Sequence, residues 1–196
     1  PNLTVRTNAF ATRIVLESRR AVGVEYSKGG RGGQAMQVRA NREVILSGGT
    51  INSPQLLQLS GIGPSALLNT LGIEVLHDLA GVGENLRDHY APRFSGRVKN
   101  IETINERSKG LKLVGEVIKY FTGGKSIVNL NPSMVYGFWH TDPVARSNDV
   151  QFIFTPASYK LGAHGLLADY PGFTVAAWQH RPESTGWVRA RTADPF

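Results

Sequence analysis

Hydrophobic and polar residues alternate along the first forty positions of the chain. Apolar side chains recur at every second position in three stretches, 12–16, 22–26 and 36–40, with polar turns between them. Such alternation predicts strands with one buried face, so we predict an antiparallel meander. The glycine-rich turn at 29–33 lies between two of these strands and begins no helix, so we interpret it as a flexible hairpin loop rather than a phosphate cradle.

A different pattern follows, in which an apolar run meets two glycines and then a helix. Residues 44–46 are wholly apolar and predict a strand that is covered on both faces. The run leads through Ser47 into Gly48 and Gly49, where the absence of side chains lets another group approach the backbone. We predict that Ser53 caps the next helix, with Pro54 at its first position, and that Gly61 follows its end. Since α/β proteins use such connections routinely, the spacing leaves a purely structural and a cofactor-binding interpretation open.

The rest of the chain changes in character near residue 92. Before that point we predict a short helix at 65–71, a strand at 73–76 and a glycine turn at 81–83. After it, apolar residues at helical spacing predict an amphipathic helix with a core-packing stripe: Leu111, Val114, Val117, Ile118 and Phe121. Further strands are predicted at 134–139, 150–154, 173–180 and 187–191. The predicted fold class is therefore α/β plus α+β, with an antiparallel sheet in the second half.

Composition narrows the class of protein without identifying it. The 196 residues are 41% hydrophobic and fit one large or two small domains. The net charge of +7 comes from basic residues that are scattered along the chain, so no nucleic-acid footprint is visible. There is no cysteine, which excludes disulfides and thiolate metal sites, and no apolar stretch approaches the ~20 residues of a membrane span. The chain begins with Pro1 rather than Met, and we expect it to be a piece of something longer.

Four segments together resemble the glucose-methanol-choline family of flavoprotein oxidoreductases. They are TRI and AVGVEY within 12–26, GGTINSPQLL at 48–57, SGIGP at 60–64 and GVGENLRDH at 81–89. The resemblance covers residues 1–90, and looser pieces follow at 148–152 and 180–186. It implies that residues 1–92 are part of a Rossmann-like FAD-binding domain and that residues 93–196 are part of a substrate-binding domain.

The resemblance also implies a cofactor, a reaction and a set of contacts. The cofactor is FAD, and the reaction removes a hydride from a CH–OH carbon of a small-molecule alcohol. The family contacts the adenine through the backbone of a residue that corresponds to Ala11, where members usually have valine. Ser47, Gly48 and Gly49 are expected to lie against the cofactor. The partners implied are the alcohol and the remainder of the polypeptide.

The sequence offers no catalytic base and no metal site. The histidines at 77, 89, 140, 164 and 180 lack metal-binding spacing, and the resembled family places its base beyond Phe196. We interpret His89 and His180 as hydrogen-bonded structural residues. The G-x-G-x-x-A match at 61–66 follows a helix and contains Pro64, so we do not interpret it as a phosphate loop. The family's pyrophosphate loop precedes Pro1, and we therefore expect the chain alone to be inactive and to bind FAD weakly or not at all.

A second interpretation stays open at this stage. The basic surface and the aromatic-rich second half are also compatible with a non-catalytic module that binds an acidic or sugar-like ligand. The residues do not specify the alcohol, the electron acceptor or the oligomeric state. We expect a cytoplasmic location, with peripheral membrane association as the alternative.

Overall fold

The computed structural model describes residues 2–131, 133–144, 146–162 and 165–196. Two compact units make up the chain. The first unit consists of residues up to Arg87 together with Ser184–Phe196, and the second unit consists of Asp88–Glu183. His164, one of the five histidines, lies outside the described residues.

The first unit opens with the predicted meander. Strands β1 (Ala9–Glu17), β2 (Arg20–Lys28) and β3 (Gln34–Arg39) pair antiparallel in the order β1-β2-β3. Ile14, Val22 and Tyr26 are its buried apolar side chains. The turn at 29–33 joins β2 to β3, as predicted. The meander is therefore confirmed, because its alternating strands find their partners in one another.

Helix α1 (Gly49–Leu59) follows the meander, but the segment that leads into it and the start of the helix differ from the prediction. Residues 44–46 form no strand, and Ile45 is 78% exposed. A strand exists only beside a neighbour, and none of the described residues pairs with this run. Pro54 lies inside α1 rather than at its start, so Ser53 is not the cap. The helix tolerates this because the carbonyl that Pro54 leaves unpaired belongs to Thr50, which is exposed to water.

Short elements complete the first unit. Gly61 follows α1 with a φ of +79°, as predicted. Strand β4 (Ile62–Gly63) pairs in parallel with β5 (His77–Asp78), and α2 (Ser65–Thr70) lies between them. The predicted helix at 65–71 is thus confirmed. The prediction of a strand at 73–76 is wrong, since only His77–Asp78 pairs with β4.

The chain later returns to this unit. Strand β6 (Glu84–Leu86) pairs antiparallel with β11 (Gly186–Trp187). The strand predicted at 187–191 is therefore shorter than expected, since β6 offers only three residues to pair with.

The second unit is an antiparallel sheet with helices. Its strands are β7 (Arg93–Arg97), β8 (Val135–Trp139), β9 (Val150–Thr155) and β10 (Gly172–Gln179), in the order β7-β10-β9-β8. The antiparallel sheet of the second half is thereby confirmed. Helices α3 (Ile104–Arg107) and α4 (Gly110–Phe121) and a 3-10 turn (Ile127–Asn129) connect β7 to β8.

Helix α4 corrects one prediction directly. Its apolar stripe does not pack into a core: Leu111 is 90% exposed and Phe121 is 81% exposed. The side chain that α4 buries is Glu116, which is only 3% exposed. The periodicity located the helix correctly but assigned the wrong face to the interior, because the contacts that fix α4 are polar ones.

Candidate functional site

The corner formed by Ser47, Gly48 and Gly49 lies at the start of α1 and is open. All three residues are exposed. Gly49 has a φ of +82°, and a Cβ built there would meet nothing within 4 Å. The glycine is required by its left-handed backbone conformation, and the space beside it is free for a ligand.

The first turn of α1 also leaves its backbone donors without side-chain acceptors among the described residues. Gly48 is the N-cap and supplies no side-chain hydrogen bond, and no acidic residue lies in the first turn. By contrast, α3 begins with a complete capping box from Thr103 and Glu106. An uncapped helix N-terminus favours an anionic or carbonyl-bearing ligand. The corner and this turn therefore fit a flavin nucleotide, which carries both kinds of acceptor.

Ala11 lies on a different part of the first unit. It is exposed on β1, opposite Tyr26, next to an irregularity in the strand pairing. β1 is joined to the far end of α1, where the Ile14 N–H donates to Ser60 Oγ at 2.8 Å. Among the described residues, no hydrogen bond links Ala11 to Ser47, Gly48 or Gly49. The predicted contact of Ala11 with the adenine stays a prediction.

A cavity of about 510 Å³ begins one residue after the corner. One face of α1 lines it with Thr50, Ser53, Pro54 and Leu57. The opposite wall comes from the segment 81–87 together with Leu79 and Val188. Residues from two segments that carry the family resemblance, 48–57 and 81–89, therefore face each other across one cavity. The cavity does not include Ala11, Ser47, Gly48 or Gly49 among its described lining residues.

Sequence reasoning missed both this cavity and the residue that ties its walls together. Gln58 is fully buried and hydrogen-bonds to Val82, Val188 and Ala190. The one available signal was a polar residue in an otherwise apolar run, between Leu57 and Leu59. Its partners lie up to 132 residues away in the chain, so no local pattern could have identified them.

The turn at 61–66 is not a phosphate site in the structure either. The Ser65 N–H at the start of α2 donates to Asp78 Oδ1 at 2.9 Å, and Ser65 Oγ donates to Asp78 Oδ2 at 3.1 Å. A carboxylate of the chain thus occupies the position that a phosphate would take. This agrees with the prediction that the G-x-G-x-x-A match has no phosphate-binding role.

The four histidines within the described residues have hydrogen-bond partners or lie on the surface. His89 Nε2 donates to the His180 carbonyl at 2.9 Å, and His180 Nδ1 lies 3.1 Å from Gln151 Oε1. Both belong to the second unit, as hydrogen-bonded residues of the predicted kind. His77 and His140 are exposed. Within the described part of the chain, no three His, Asp or Glu side chains are grouped so as to hold a metal ion.

Comparison with known proteins identifies the family. Residues 1–91 match the family model described as GMC oxidoreductase. The chain is 35% identical to the oxygen-dependent choline dehydrogenase of Photobacterium profundum, over 99% of this chain and 34% of that protein. It is 37% identical to the mitochondrial choline dehydrogenase of Homo sapiens, over 99% of this chain and 32% of that protein. The chain belongs to the GMC oxidoreductase family, and it spans about a third of the length of these relatives.

Solved structures of other proteins share the fold. A formate oxidase aligns with a TM-score of 0.83 at 26% identity, over 96% of this chain and 37% of that protein. An FAD-dependent oxidoreductase from Chaetomium thermophilum aligns with a TM-score of 0.76 at 21% identity, over 100% of this chain and 40% of that protein, which supports the fold alone. The mixed α/β fold described above is thus part of a larger architecture in these proteins. No helix in the described residues is long and apolar enough to span a membrane.

Proposed function

We propose that this chain is part of an FAD-dependent oxidoreductase that acts on the CH–OH group of a small alcohol. The observation that carries the proposal is identity of 35–37% to two choline dehydrogenases along 99% of the chain. Identity that extends over both units supports a shared activity better than a match to one motif does. The alternative of a non-catalytic binding module receives no comparable support.

The residues proposed to contact FAD are Ala11, Ser47, Gly48 and Gly49. The open space at Gly49 and the uncapped first turn of α1 support this assignment. When bound, FAD supplies a hydride acceptor for the alcohol carbon. The chain's own contribution is to hold the cofactor at exposed backbone, where hydrogen bonds from N–H groups do not depend on side-chain identity.

The alcohol itself is proposed only as a class. Both relatives are named for choline, whereas other proteins that share this fold are a formate oxidase, a pyridoxine 4-oxidase and an aryl-alcohol oxidase. One fold therefore accommodates several small substrates. Choline is the first alcohol to test, because the chain is more similar in sequence to the choline dehydrogenases than to the three oxidases. No described residue is assigned as the base that accepts the hydroxyl proton.

The test compares two glycine substitutions in the complete gene product that contains this sequence. Gly48 has a negative φ and an exposed position, so Gly48→Leu adds bulk at the corner without backbone strain. Gly115 lies in α4, where an added Cβ would meet nothing within 4 Å, so Gly115→Leu is the matched control. We expect the unaltered protein to purify with flavin absorbance, Gly48→Leu to lose most of it, and Gly115→Leu to keep it.

Activity is measured in the same preparations by anaerobic bleaching of the flavin with choline and other small alcohols. Bleaching by an alcohol supports the proposed reaction. A flavin-free native protein, or bound flavin that no alcohol reduces, contradicts the proposal. Equal flavin content in the two glycine variants contradicts the assignment of the corner.

A further inference from the structure

The side chain of Gln58 joins three segments of the first unit that are distant in sequence. Its Nε2 donates to the Val188 carbonyl at 3.0 Å and to the Val82 carbonyl at 3.4 Å, and its Oε1 accepts from the Ala190 N–H at 2.7 Å. The residue has no exposed surface. Both amide hydrogens and the amide oxygen are therefore used, so a side chain without an amide cannot make these bonds.

Two of the three partners of Gln58 line the cavity beside the corner. Val82 and Val188 both line the cavity, and each is held through its backbone carbonyl. Leu57, the neighbour of Gln58 in α1, lines the opposite wall. One buried side chain of α1 is thus hydrogen-bonded to two residues that line the cavity.

The backbone beside Gln58 is closely packed at Gly83. Gly83 has a φ of +86°, and a Cβ there would overlap the Val188 carbonyl oxygen and stand 2.7 Å from Gln58 Nε2. The Val188 N–H also donates to the Gly83 carbonyl at 2.7 Å. Three backbone segments meet at this point, and the buried amide of Gln58 depends on them for its partners, since an unpaired buried amide is costly.

We propose that Gln58 is a positioning residue of the site: it sets the distance between α1 and the segment 81–87 and so shapes the cavity next to the flavin corner. The relevance of this cavity to FAD rests on the proposed function above. The bracing itself does not, and it can be measured in the absence of FAD.

The experiment measures amide hydrogen exchange in three variants of the complete gene product, each freed of FAD. Gln58→Met keeps the length of the side chain and removes all three hydrogen bonds. Gly83→Ala keeps glutamine at position 58, but its Cβ would displace the Val188 carbonyl and the Gln58 amide from their present contact. Gln55→Met is the matched control, because the Gln55 side chain lies on the same helix, is half-buried and makes no hydrogen bond to any described residue.

We expect Gln58→Met and Gly83→Ala to raise exchange rates about tenfold or more in 82–88 and 186–190, with the β1–β2 ladder unchanged. We expect Gln55→Met to change neither region. When FAD is supplied, the first two variants are expected to release it more readily than the Gln55→Met control.

Two results would overturn the proposal. Faster exchange spread evenly over the first unit, β1 and β2 included, would make Gln58 an ordinary contributor to stability. Unchanged exchange in 82–88 and 186–190 would show that the wall does not depend on Gln58. If the exchange is local but the gene product never holds FAD, then the proposed function fails while the bracing by Gln58 stands.

Discussion

At the scale of single residues, Glu116 is a buried charged side chain that holds α4 in place through polar contacts. Its carboxylate accepts hydrogen bonds from the Ile127 N–H at 2.8 Å, from Arg107 Nη2 at 2.6 Å and from Lys119 Nζ at 3.0 Å. These donors, with the Ile127 backbone N–H first, lower the pKa of Glu116 to about 2. The carboxylate thereby joins α3, α4 and the 3-10 turn.

We expect Glu116→Gln to lower the melting temperature by roughly 5 °C, because the amide cannot pair with two cations in a buried position. The lowered pKa also gives a pH dependence. The stabilisation is complete above the usual glutamate value near 4.5 and is lost as the pH falls toward about 2. Thermal melts between pH 7 and pH 2 measure both effects.

The control is Glu102→Gln, whose carboxylate forms an exposed ion pair with Lys112. We expect this variant to melt close to the unaltered protein, since exposed ion pairs contribute little. If Glu116→Gln follows the same acid profile as the unaltered protein, then Glu116 does not carry the proposed charge-dependent stabilisation.

At the scale of elements, the hydrophobic pattern predicted several whose partners lie in the chain, but not β7, which pairs with β10. The meander, α2 and the strands β8, β9 and β10 all pair or pack within their own unit. The run at 44–46 failed because a strand needs a hydrogen-bonded neighbour, which no pattern of side chains supplies. The stripe of α4 failed for a related reason: periodicity shows which face is apolar, and only contacts show which face is covered.

A pair of leucine substitutions tests the orientation of α4. We expect Leu111→Ala to change the free energy of unfolding by no more than about 0.5 kcal/mol, because the side chain is 90% exposed. Leu68→Ala, at a position with no exposed surface, is expected to cost about 2–5 kcal/mol. Urea denaturation of both variants measures the difference. A cost above about 2 kcal/mol for Leu111→Ala would restore the core-packing interpretation of the stripe.

At the scale of the whole molecule, the last thirteen residues complete a unit that the first eighty-seven begin. β11 pairs with β6, Arg189 forms an ion pair with Glu84 at 3.0 Å, and the Ala190 N–H binds Gln58. At the end of the chain, Arg31 forms an ion pair with Asp194 at 3.1 Å, and the ring of Phe196 stacks on that of Phe10 at 4.9 Å. The arginine of the glycine-rich hairpin loop thus has a structural partner that only the return of the chain provides.

We expect a chain that ends at Glu183 to lose at least about 2 kcal/mol of local stability in the segment 82–88, because Gln58 remains buried without two of its hydrogen-bond partners. A chain that ends at Arg191 keeps those partners and is expected to lose less. Hydrogen exchange in the segment 82–88 measures this local stability in both cases. Equal losses in the two chains would show that the stabilisation comes from Asp194 and Phe196 rather than from the contacts of Gln58.

One part of the candidate site, the corner, could be predicted from the sequence, and another part, the cavity, could not. The residues of the corner followed from glycine chemistry and from the resemblance, and their contact with FAD stays a prediction. The cavity and the role of Gln58 could not be predicted, since Val188 and Ala190, which hydrogen-bond to Gln58, lie 130 and 132 positions away in the sequence. A buried polar residue among leucines indicates that some partner exists, but not where it lies in the chain.

The amino-acid pattern alone was enough to predict the family, the meander, the antiparallel sheet of the second unit and the open corner, because these depend on local alternation, on glycine backbones and on ordered motifs. The folded structure was needed to show that Glu116 is buried, that the stripe of α4 is exposed and that Gln58 holds the cavity walls. Burial and hydrogen-bond pairing depend on which segments meet in space, and a linear pattern contains no distances between segments that are far apart along the chain.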